Sequence, residues 1–276
     1  MKRPPTGNPK VVVVTGAAGG IGRALSVAFA RQGALLELCD LDTEGLAATL
    51  LAARDAGSPR VEATTADVRD PQDVEAFARG VHARCRAADV LINNAGVALA
   101  GSFLETELSD WKWLLDTNLL GTVHCIRAFV PSMLERSCGG HVLNIASASG
   151  FFNLQQLAAY GTTKYAIIGL SEALRAELSP HHIGVTALCP AFVDSGIAER
   201  VRLAKGADPA QQRRKLRELF ARRGVKPEAV ARAALQALRT NPALLPVGSD
   251  AWGLYLLKRC LPQVTWDILR TLATRR

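Results

Sequence analysis

The sequence has few aromatic residues and none of the cysteine and histidine clusters that bind metal ions. Phe, Trp and Tyr make up 5% of the 276 residues, and the apolar residues are mostly Ala, Val and Leu. That composition favours helices packed on a parallel sheet over a β-sandwich. The cysteines form no Cys-x-x-Cys pair, so we expect free thiols in a reducing compartment and no metal site. They are Cys39, Cys85, Cys125, Cys138, Cys189 and Cys260.

Long apolar runs are missing as well. No stretch reaches the length that spans a membrane, and no apolar segment before Val11 has the form of a signal peptide. We therefore expect a cytoplasmic protein without a transmembrane segment. No repeat, low-complexity tract or linker divides the chain, which predicts a single domain over residues 1–276.

Positive charge is concentrated in one segment. From Arg200 to Arg223 the sequence holds nine basic and two acidic residues, a net charge of +7 within the +8 of the whole chain. A protein that binds nucleic acid more often spreads its charge along the binding face, so we predict no nucleic-acid partner. The segment could attract an anionic substrate or an anionic membrane surface, or be an ordinary solvated helix face.

What the sequence has instead is an alternation of strand-like and helix-like segments. The strand-like segments are Val11–Val14, Leu35–Cys39, Val61–Thr65, Val90–Asn93, Gly140–Ile145 and Val185–Leu188. The helix-like segments are Gly20–Gln32, Thr43–Ala56, one that opens at Asp70-Pro71, Leu108–Arg136 as one long helix, and Ala158–Leu178. Such repeated units predict right-handed crossovers and a doubly wound, Rossmann-like parallel α/β sheet. We expect a core over about 10–200, a helical substrate lid over about 192–224 and a short C-terminal extension over about 240–276.

A glycine-rich turn joins the first strand to the first helix. Its residues are Thr15, Gly16, Ala17, Ala18, Gly19, Gly20, Ile21 and Gly22. Glycines there allow a tight turn and let backbone N–H groups reach a pyrophosphate at the helix N-terminus, which predicts a dinucleotide site. Asp40 ends the second strand, where a carboxylate accepts hydrogen bonds from ribose hydroxyls and repels a 2′-phosphate. We therefore predict NAD as the cofactor, with NADP less favoured.

Several motifs, taken in order, resemble those of the short-chain dehydrogenase/reductase family. Thr15–Gly22 is similar to its Thr-Gly-x-x-x-Gly-x-Gly fingerprint, Asn93–Gly96 to its Asn-Asn-Ala-Gly signature, and Tyr160–Lys164 to its Tyr-x-x-x-Lys motif. Ser147 and Asn118 stand where the family has its catalytic serine and asparagine. The resemblance covers about residues 10–200. It implies an oxidoreductase that moves a hydride between its cofactor and an alcohol or ketone.

The catalytic residues also make chemical sense by themselves. Tyr160 and Lys164 are four positions apart on a predicted helix, so their side chains share a face. A nearby cation lowers the pKa of a phenol, which makes Tyr160 a general acid/base for the substrate oxygen. The Ser147 hydroxyl can hold that oxygen. By family analogy, Asn118 would help to retain a water that relays protons through Lys164.

The resemblance implies further contacts with the cofactor. Asp67 and Val68 match a pair that meets the adenine ring, and residues 190–195 parallel a Pro-Gly-x-Val-x-Thr motif. Two positions depart from that motif, because Ala191 replaces its glycine and Ser195 its threonine. The implied cofactor-binding residues are Thr15, Gly16, Gly20, Ile21, Gly22, Asp40, Asp67, Val68, Asn94, Gly96, Tyr160, Lys164, Pro190, Val193 and Ser195.

Apolar residues in the loops at the expected ligand edge of the sheet predict a lipophilic secondary alcohol or ketone as substrate. They are Leu99, Phe103, Phe151, Phe152, Leu154 and Phe192, of which we expect at least two to be core residues. The stretch Trp252–Leu257 could form a hydrophobic flap or rest on a membrane surface. The helices Leu108–Arg136 and Ala158–Leu178 carry more Ala and Leu than one sheet face needs, so we predict a homodimer or homotetramer.

Two other functions stay open at this point. A non-catalytic, NAD-sensing regulatory protein would keep the fold, although it need not retain Tyr160, Lys164, Ser147 and Asn118. A hydrolase using Ser147 would need a Gly-x-Ser-x-Gly elbow and a nearby histidine, and the sequence offers neither.

Overall fold

A parallel sheet forms the centre of the computed structural model, which describes residues 10–194, 196, 200–205, 210, 213–214, 218 and 224–274. The strands are β1 Val11–Thr15, β2 Leu35–Asp40, β3 Val61–Thr65, β4 Val90–Asn93, β5 Leu99–Ala100, β6 Gly140–Ile145, β7 Ile183–Pro190, β8 Arg202–Leu203 and β9 Leu244–Val247. The α-helices are α1 Gly20–Ala30, α2 Thr43–Asp55, α3 Pro71–Arg84, α4 Leu108–Leu114, α5 Gly121–Arg136, α6 Ala158–Leu178, α7 Pro227–Thr240, α8 Ser249–Cys260 and α9 Pro262–Thr274. A π-helical turn, Leu115–Leu120, joins α4 to α5, and 3-10 turns lie at Ala148–Gly150 and Ser179–His181.

Seven of the strands form one parallel sheet in the order β3-β2-β1-β4-β6-β7-β9. The strand order changes direction between β1 and β4, and ligands of open α/β sheets bind at such a switch point. The order confirms the predicted doubly wound, Rossmann-like fold in a single domain. The short strands β5 and β8 pair with each other in a separate ribbon.

Alternate residues of β1 enter two different cores. Val12 and Val14 pack with Phe29 of α1 on one face of the sheet, whereas Val13 belongs to the cluster around Phe129 of α5 on the other face. Every residue of β1 is buried. A strand covered on both faces needs apolar residues at successive positions, which explains why a continuous run of valines encodes it.

The prediction of one uninterrupted helix over Leu108–Arg136 is wrong. The π-helical turn Leu115–Leu120 interrupts it, and Asn118 lies within that turn. A π turn closes i→i+5 hydrogen bonds and so shifts the side chains that follow it, a local change that apolar periodicity does not reveal. Such turns occur often at functional sites, where they aim a side chain that a regular helix would direct elsewhere.

An edge strand was also absent from the predicted set. β9 spans Leu244–Val247 and pairs with β7. It is four residues long and contains Pro246, which lacks an N–H group and is tolerated at the edge of a sheet. A short segment with an internal proline gives little strand signal, and the neighbouring strand decides its structure.

The predicted lid and C-terminal extension are described in part. The basic segment Arg200–Arg223 lies partly outside the described residues, and the helical lid includes a strand, β8. Residues 210, 213–214 and 218 are helical. The helices α8 and α9 make up most of the C-terminal extension. Among the described residues, the helices fall short of the length and apolar character that crossing a bilayer requires.

Candidate active site

The carboxyl ends of four neighbouring parallel strands bring the motifs to one edge of the sheet. β1 ends at Thr15, β4 at Asn93, β6 at Ile145 and β7 at Pro190. The glycine-rich turn, the Asn-Asn-Ala-Gly loop, the loop with Ser147 and the loop after β7 therefore leave the sheet at the same edge. This is the edge at which open α/β sheets bind their ligands.

Two side chains bind the glycine-rich turn to the loop after β4. The Thr15 hydroxyl accepts hydrogen bonds from the N–H groups of Asn94 and Ala95, at 3.1 and 3.0 Å. The Asn94 amide donates to the carbonyls of Thr15 and Gly16, at 3.0 and 2.8 Å. Gly16 has a φ of +64°, and a Cβ there would lie 2.7 Å from the Ala95 Cα, so the turn requires glycine. Thr15 and Asn94 thus shape the predicted cofactor site.

The start of α1 and the end of β2 fit a dinucleotide. The first turn of α1 begins with Gly20–Gly22 and has no acidic residue, so the helix N-terminus presents N–H groups and partial positive charge. The Asp40 carboxylate accepts hydrogen bonds from the N–H groups of Ala18 and Asp42, at 2.8 and 3.1 Å. These bonds fix the carboxylate beside the turn and leave it lone pairs that can accept from ribose hydroxyls.

Neighbouring side chains hold Asp67 and Val68, which follow β3. Arg69 donates to the Asp67 carboxylate at distances of 2.5 to 3.0 Å, and these hydrogen bonds lower the pKa of Asp67. The Val68 carbonyl lies 2.9 Å from Nδ1 of His124 on α5. The two residues are therefore fixed in place, and Arg69 is a partner that the sequence pattern did not predict.

Ser147 caps the short turn after β6. Its side chain is buried, and Oγ accepts a hydrogen bond from the N–H of Ser149 at 3.1 Å. This bond starts the 3-10 turn Ala148–Gly150. The Ser147 hydroxyl also lies close to Tyr160, where it lowers the pKa of the phenol, so the predicted serine and tyrosine meet.

Lys164 lies one helical turn beyond Tyr160 on α6, and its side chain extends towards the Tyr160 ring. Its Nζ is 5.8 Å from the centre of the Tyr160 ring and donates to the Ile145 carbonyl at 2.9 Å. The side chain is buried, and loss of water lowers the pKa of Lys164 to about 8. The hydrogen bond to Ile145 fixes the ammonium at the end of β6.

The prediction that a nearby cation lowers the pKa of Tyr160 is wrong in this structure. Burial raises the pKa of the phenol, and the Ser147 hydroxyl opposes that rise only in part. Spacing along a helix shows which side chains share a face, but it does not show how much water each of them loses. The balance between burial and nearby charge depends on the assembled site.

Asn118 is buried within the π-helical turn, and both polar atoms of its side-chain amide form hydrogen bonds with the protein. Its Oδ1 accepts a hydrogen bond from the Val97 N–H at 2.8 Å, and its Nδ2 donates to the Val97 carbonyl and to Thr163 Oγ1, both at 3.0 Å. A Cβ on Gly96 would lie 3.2 Å from Asn118 Oδ1 and 3.6 Å from Lys164 Nζ. Gly96 therefore occupies the space between the predicted asparagine and lysine.

Sequence reasoning missed a buried polar chain beneath these residues. Asn93 Nδ2 donates to Asn144 Oδ1 at 2.8 Å, and Asn144 Nδ2 donates to Ser171 Oγ at 2.9 Å. The chain links β4, β6 and α6, which carry the Asn-Asn-Ala-Gly loop, the loop with Ser147 and the Tyr/Lys pair. A polar residue inside an otherwise apolar strand was the available signal, since buried amides need partners.

The end of β7 and the loop after it hold the predicted cofactor contacts Pro190, Val193 and Ser195, of which the structure describes the first two. Pro190 is the last residue of β7, and Val193 forms a bridge with Val225. Ala191 does not have a positive φ, so the alanine that replaces the family glycine follows an ordinary backbone path. Ser195, the predicted carboxamide or pyrophosphate contact, lies outside the described residues.

The predicted substrate-facing residues divide into core and surface. Leu99 packs with the buried Leu114 and Ala159, whereas the Phe103 side chain is 64% exposed. Phe151 and Phe152 are buried against α8, in the same cluster as Cys189 of β7. The expectation that at least two are core residues is confirmed. Leu154 and Phe192 are half-buried.

Part of the basic segment is neutralised within the protein. Arg202 donates to Asp110 at 2.9 Å, and Lys205 donates to Glu107 at 2.5 Å. The Arg202 guanidinium also lies 3.9 Å from the centre of the Trp113 ring. Two lid cations are thus bound to Asp110 of α4 and to Glu107, the N-cap of that helix. Among the described residues, no group of three or more His, Cys, Asp or Glu side chains could hold a metal ion.

Comparison with known proteins agrees with this geometry. The family model for short chain dehydrogenase matches residues 10–206. The chain belongs to the short-chain dehydrogenase/reductase family. Its match includes every catalytic residue predicted from the sequence, and the family is one of oxidoreductases.

Individual members of the short-chain dehydrogenase/reductase family differ in cofactor and length. The "Probable oxidoreductase EphD" of Mycobacterium tuberculosis is 38% identical over 260 residues, which are 92% of this chain but 43% of EphD. A family member from Burkholderia phymatum in complex with NAD is 30% identical, with a TM-score of 0.81 over 92% of this chain and 91% of that one. A variant of the actinorhodin polyketide ketoreductase with NADPH is 29% identical, with a TM-score of 0.78 over 88% of this chain and 97% of that one. This chain therefore spans less than half the length of EphD.

Proposed function

We propose that the protein transfers a hydride between NAD(H) and a secondary alcohol or its ketone. The observation that carries the proposal is the meeting of Ser147, Tyr160 and Lys164 at the ligand edge of the sheet, beside the glycine-rich turn. A general acid/base, a hydrogen-bond donor for the substrate oxygen and a buried cation are the groups that this reaction needs. Family membership supports the same reaction.

Each catalytic side chain has one task at the substrate oxygen. The Ser147 hydroxyl donates a hydrogen bond that holds the oxygen, and Tyr160 takes the proton from an alcohol or gives one to a ketone. Lys164, with a pKa of about 8, favours the phenolate and can pass a proton on near neutral pH. The bound nicotinamide supplies the carbon that accepts or donates the hydride. Asn118 positions the loop after Gly96 through its hydrogen bonds with Val97, and it holds α6 next to Lys164 through its hydrogen bond with Thr163.

NAD is the proposed cofactor because Asp40 occupies the end of β2. Its carboxylate is fixed beside the turn by the Ala18 N–H and would repel a 2′-phosphate. The next residue, Leu41, is 56% exposed and cannot supply a positive charge there. The NAD complex of the relative from Burkholderia phymatum supports this choice, while the ketoreductase with NADPH shows that the fold accepts either cofactor.

The substrate is proposed to be lipophilic. Phe151, Phe152 and Leu154 lie between the catalytic serine and tyrosine in the chain, and they join one apolar cluster. Tyr160 itself packs with Leu99 and Leu157. A ketone or alcohol that reaches the catalytic oxygen site would therefore meet apolar side chains around it.

A homodimer or homotetramer is proposed from the surfaces of α4 to α6. Leu108 is 86% exposed, Leu120 43% and Tyr165 41%, and all three lie on the helical segments expected to pair. Light scattering at micromolar concentration tests this, since a monomer mass would contradict it.

The six cysteines are free thiols. This supports the proposed cytoplasmic location, since the cytoplasm is a reducing compartment.

An absorbance assay at the band of reduced nicotinamide tests the proposed reaction. Secondary alcohols of graded size are offered with NAD and, separately, with NADP, and the matching ketones with the reduced cofactors. We expect turnover of apolar secondary alcohols with NAD, at higher kcat/KM than for small polar ones. Binding of NAD without turnover of any alcohol or ketone would favour the NAD-sensing regulatory protein instead.

A further inference from the structure

The two C-terminal helices expose an unusual amount of apolar surface. We define the C-terminal hairpin as α8 and α9, residues 249–274. Its large apolar side chains with exposures between 39% and 57% are Trp252, Leu256, Leu261, Val264, Trp266 and Ile268. Large exposed apolar side chains that are concentrated in two short helices mark a surface that binds another protein or a membrane.

The hairpin is fixed to the body of the protein at the active-site edge. Ala251 of α8 is fully buried, and the Tyr255 ring packs edge-to-face on Phe151 at 5.5 Å between centroids. Phe151 directly follows the turn that Ser147 caps. The inner face of α8 therefore belongs to the core beside Ser147, while Trp252 and Leu256 of the same helix stay 44% and 51% exposed.

Cations accompany the exposed aromatic residues. Lys258 Nζ lies 4.4 Å from the centre of the Trp266 ring, and Arg259 donates to the Tyr255 hydroxyl at 2.8 Å. Arg270 is 3.5 Å from Asp267. By sequence, residues 249–274 hold three basic and two acidic residues, a net charge of +1, and Arg275 and Arg276 follow the hairpin in the chain. Exposed tryptophan, aliphatic residues and basic residues on short helices are the combination that binds at a lipid–water interface.

We propose that the C-terminal hairpin docks on the surface of an anionic lipid bilayer. Trp252, Leu256 and Trp266 enter the headgroup region, and Lys258 and Arg259 meet the lipid phosphates. A bilayer fits better than a second copy of the chain, because a two-fold interface places the same positively charged surface on both sides. Anionic headgroups neutralise that charge instead.

The docking places the active-site edge beside the membrane. Since α8 packs on Phe151, the loop between Ser147 and Tyr160 lies next to the docked surface. A lipophilic alcohol dissolved in the bilayer could then reach the site without crossing bulk water. The docking itself does not rest on the proposed hydride transfer, because it depends only on the surface of the hairpin.

Co-sedimentation of the full chain with phosphatidylcholine vesicles, with and without phosphatidylglycerol, tests the proposal. We expect binding to the anionic vesicles and its loss at high salt, since the Debye length falls from about 10 Å at 0.1 M to about 3 Å at 1 M. Lys258→Gln with Arg259→Gln should weaken binding by about 30-fold, because each basic residue near an anionic surface contributes about 1 kcal/mol.

A matched pair of surface variants separates docking from a general effect of charge. Leu256→Glu, at a side chain 51% exposed, should weaken vesicle binding by about tenfold or more, since it places an acid against anionic lipid. Leu51→Glu on α2, at a side chain 60% exposed, should leave binding unchanged. Thermal unfolding and NAD affinity, measured for both, confirm that each variant is folded.

Three outcomes would overturn the docking proposal. They are a wild-type protein that does not bind anionic vesicles, equal losses of binding for Leu256→Glu and Leu51→Glu, and full binding retained by Leu256→Glu. In the first case, the Leu256→Glu variant is also tested for dissociation of an oligomer. Such dissociation would identify the hairpin as a subunit interface. Turnover of a water-soluble secondary alcohol is measured in parallel, so that a protein that docks without turnover would contradict the proposed function alone.

Discussion

The nucleotide half of this molecule, which holds the glycine-rich turn, Asp40 and the loop after β4, is built differently from the substrate half, which holds the loop between Ser147 and Tyr160 and the helix α8. In the nucleotide half, short motifs at the ends of neighbouring strands form the site: Thr15 and Asn94 join the loops after β1 and β4, and the turn after β1 fixes Asp40 at the end of β2. In the substrate half, Phe151 is covered by Tyr255 from the far end of the chain. A dinucleotide is bound largely by backbone groups at strand ends and a helix end, which short motifs encode. A pocket for a particular substrate instead depends on packing between distant segments.

Replacing the phenol at the border of the two halves should have the largest effect. Tyr160→Phe removes the proton carrier but keeps the ring that packs with Leu99, so the fold and the cofactor site remain. General acid/base groups contribute about 10²- to 10⁴-fold, and we expect kcat to fall by that factor with little change in NAD affinity. Steady-state kinetics and calorimetric titration of NAD measure the two quantities. Near-normal turnover would show that another group carries the proton.

Two substitutions of phenylalanine by alanine compare the stability contributed by a buried ring with that contributed by an exposed one. Phe151 is 8% exposed and packs on α8, so Phe151→Ala should lower the free energy of unfolding by about 3 kcal/mol. Phe103 is 64% exposed, and Phe103→Ala should change it by about 0.5 kcal/mol or less. Urea denaturation measures both variants. Similar losses at the two positions would mean that the substrate half is not held together by α8.

The buried ammonium group of Lys164 should lower the free energy of unfolding at neutral pH. Lys164 has its pKa lowered from 10.5 to about 8 by burial, which corresponds to about 3 kcal/mol, and its hydrogen bond to Ile145 returns about 1 kcal/mol. Lys164→Met should therefore raise the free energy of unfolding by about 2 kcal/mol at pH 7 while it abolishes turnover. Urea denaturation and the absorbance assay measure the two effects.

The pH dependence of that difference has a definite sign. Between about pH 8 and pH 10.5 the unfolded chain holds a proton on Lys164 that the folded protein has lost, so the wild type gains stability as the pH rises. The advantage of Lys164→Met should shrink over that range. A difference in unfolding free energy that is constant from about pH 7 to pH 9.5 would mean that burial does not lower the lysine pKa.

The smallest expected effect concerns cofactor choice, which tests whether the residues at the end of β2 decide it. Asp40→Ala with Leu41→Arg removes the repulsion of a 2′-phosphate and adds a cation at an exposed position. We expect the ratio of kcat/KM for NADP to that for NAD to rise by about tenfold or more, equal to about 1.4 kcal/mol. The same ratio for Leu41→Ala alone is the control. No shift in the double variant would place the specificity elsewhere.

Particular residues show how far sequence reasoning reached. The valines of β1, the glycine-rich turn and the Tyr/Lys spacing predicted the sheet and most of the site, because each depends on contacts close in the chain or on strict periodicity. The π-helical turn around Asn118, the edge strand with Pro246 and the chain from Asn93 to Ser171 were not predicted. Each of these requires a partner segment that lies far away in sequence.

The sequence by itself determined the parallel sheet, the glycine-rich turn and the side chains that we propose to be catalytic. Only the tertiary structure decided the electrostatics of those side chains, since burial raises the pKa of Tyr160 and lowers that of Lys164. It also decided which apolar residues became core, through the packing of α8 on Phe151, and which stayed on the surface of the C-terminal hairpin. Periodicity and spacing show which side chains share a face of a helix or strand. The loss of water around an ionisable side chain depends instead on every segment that packs on it.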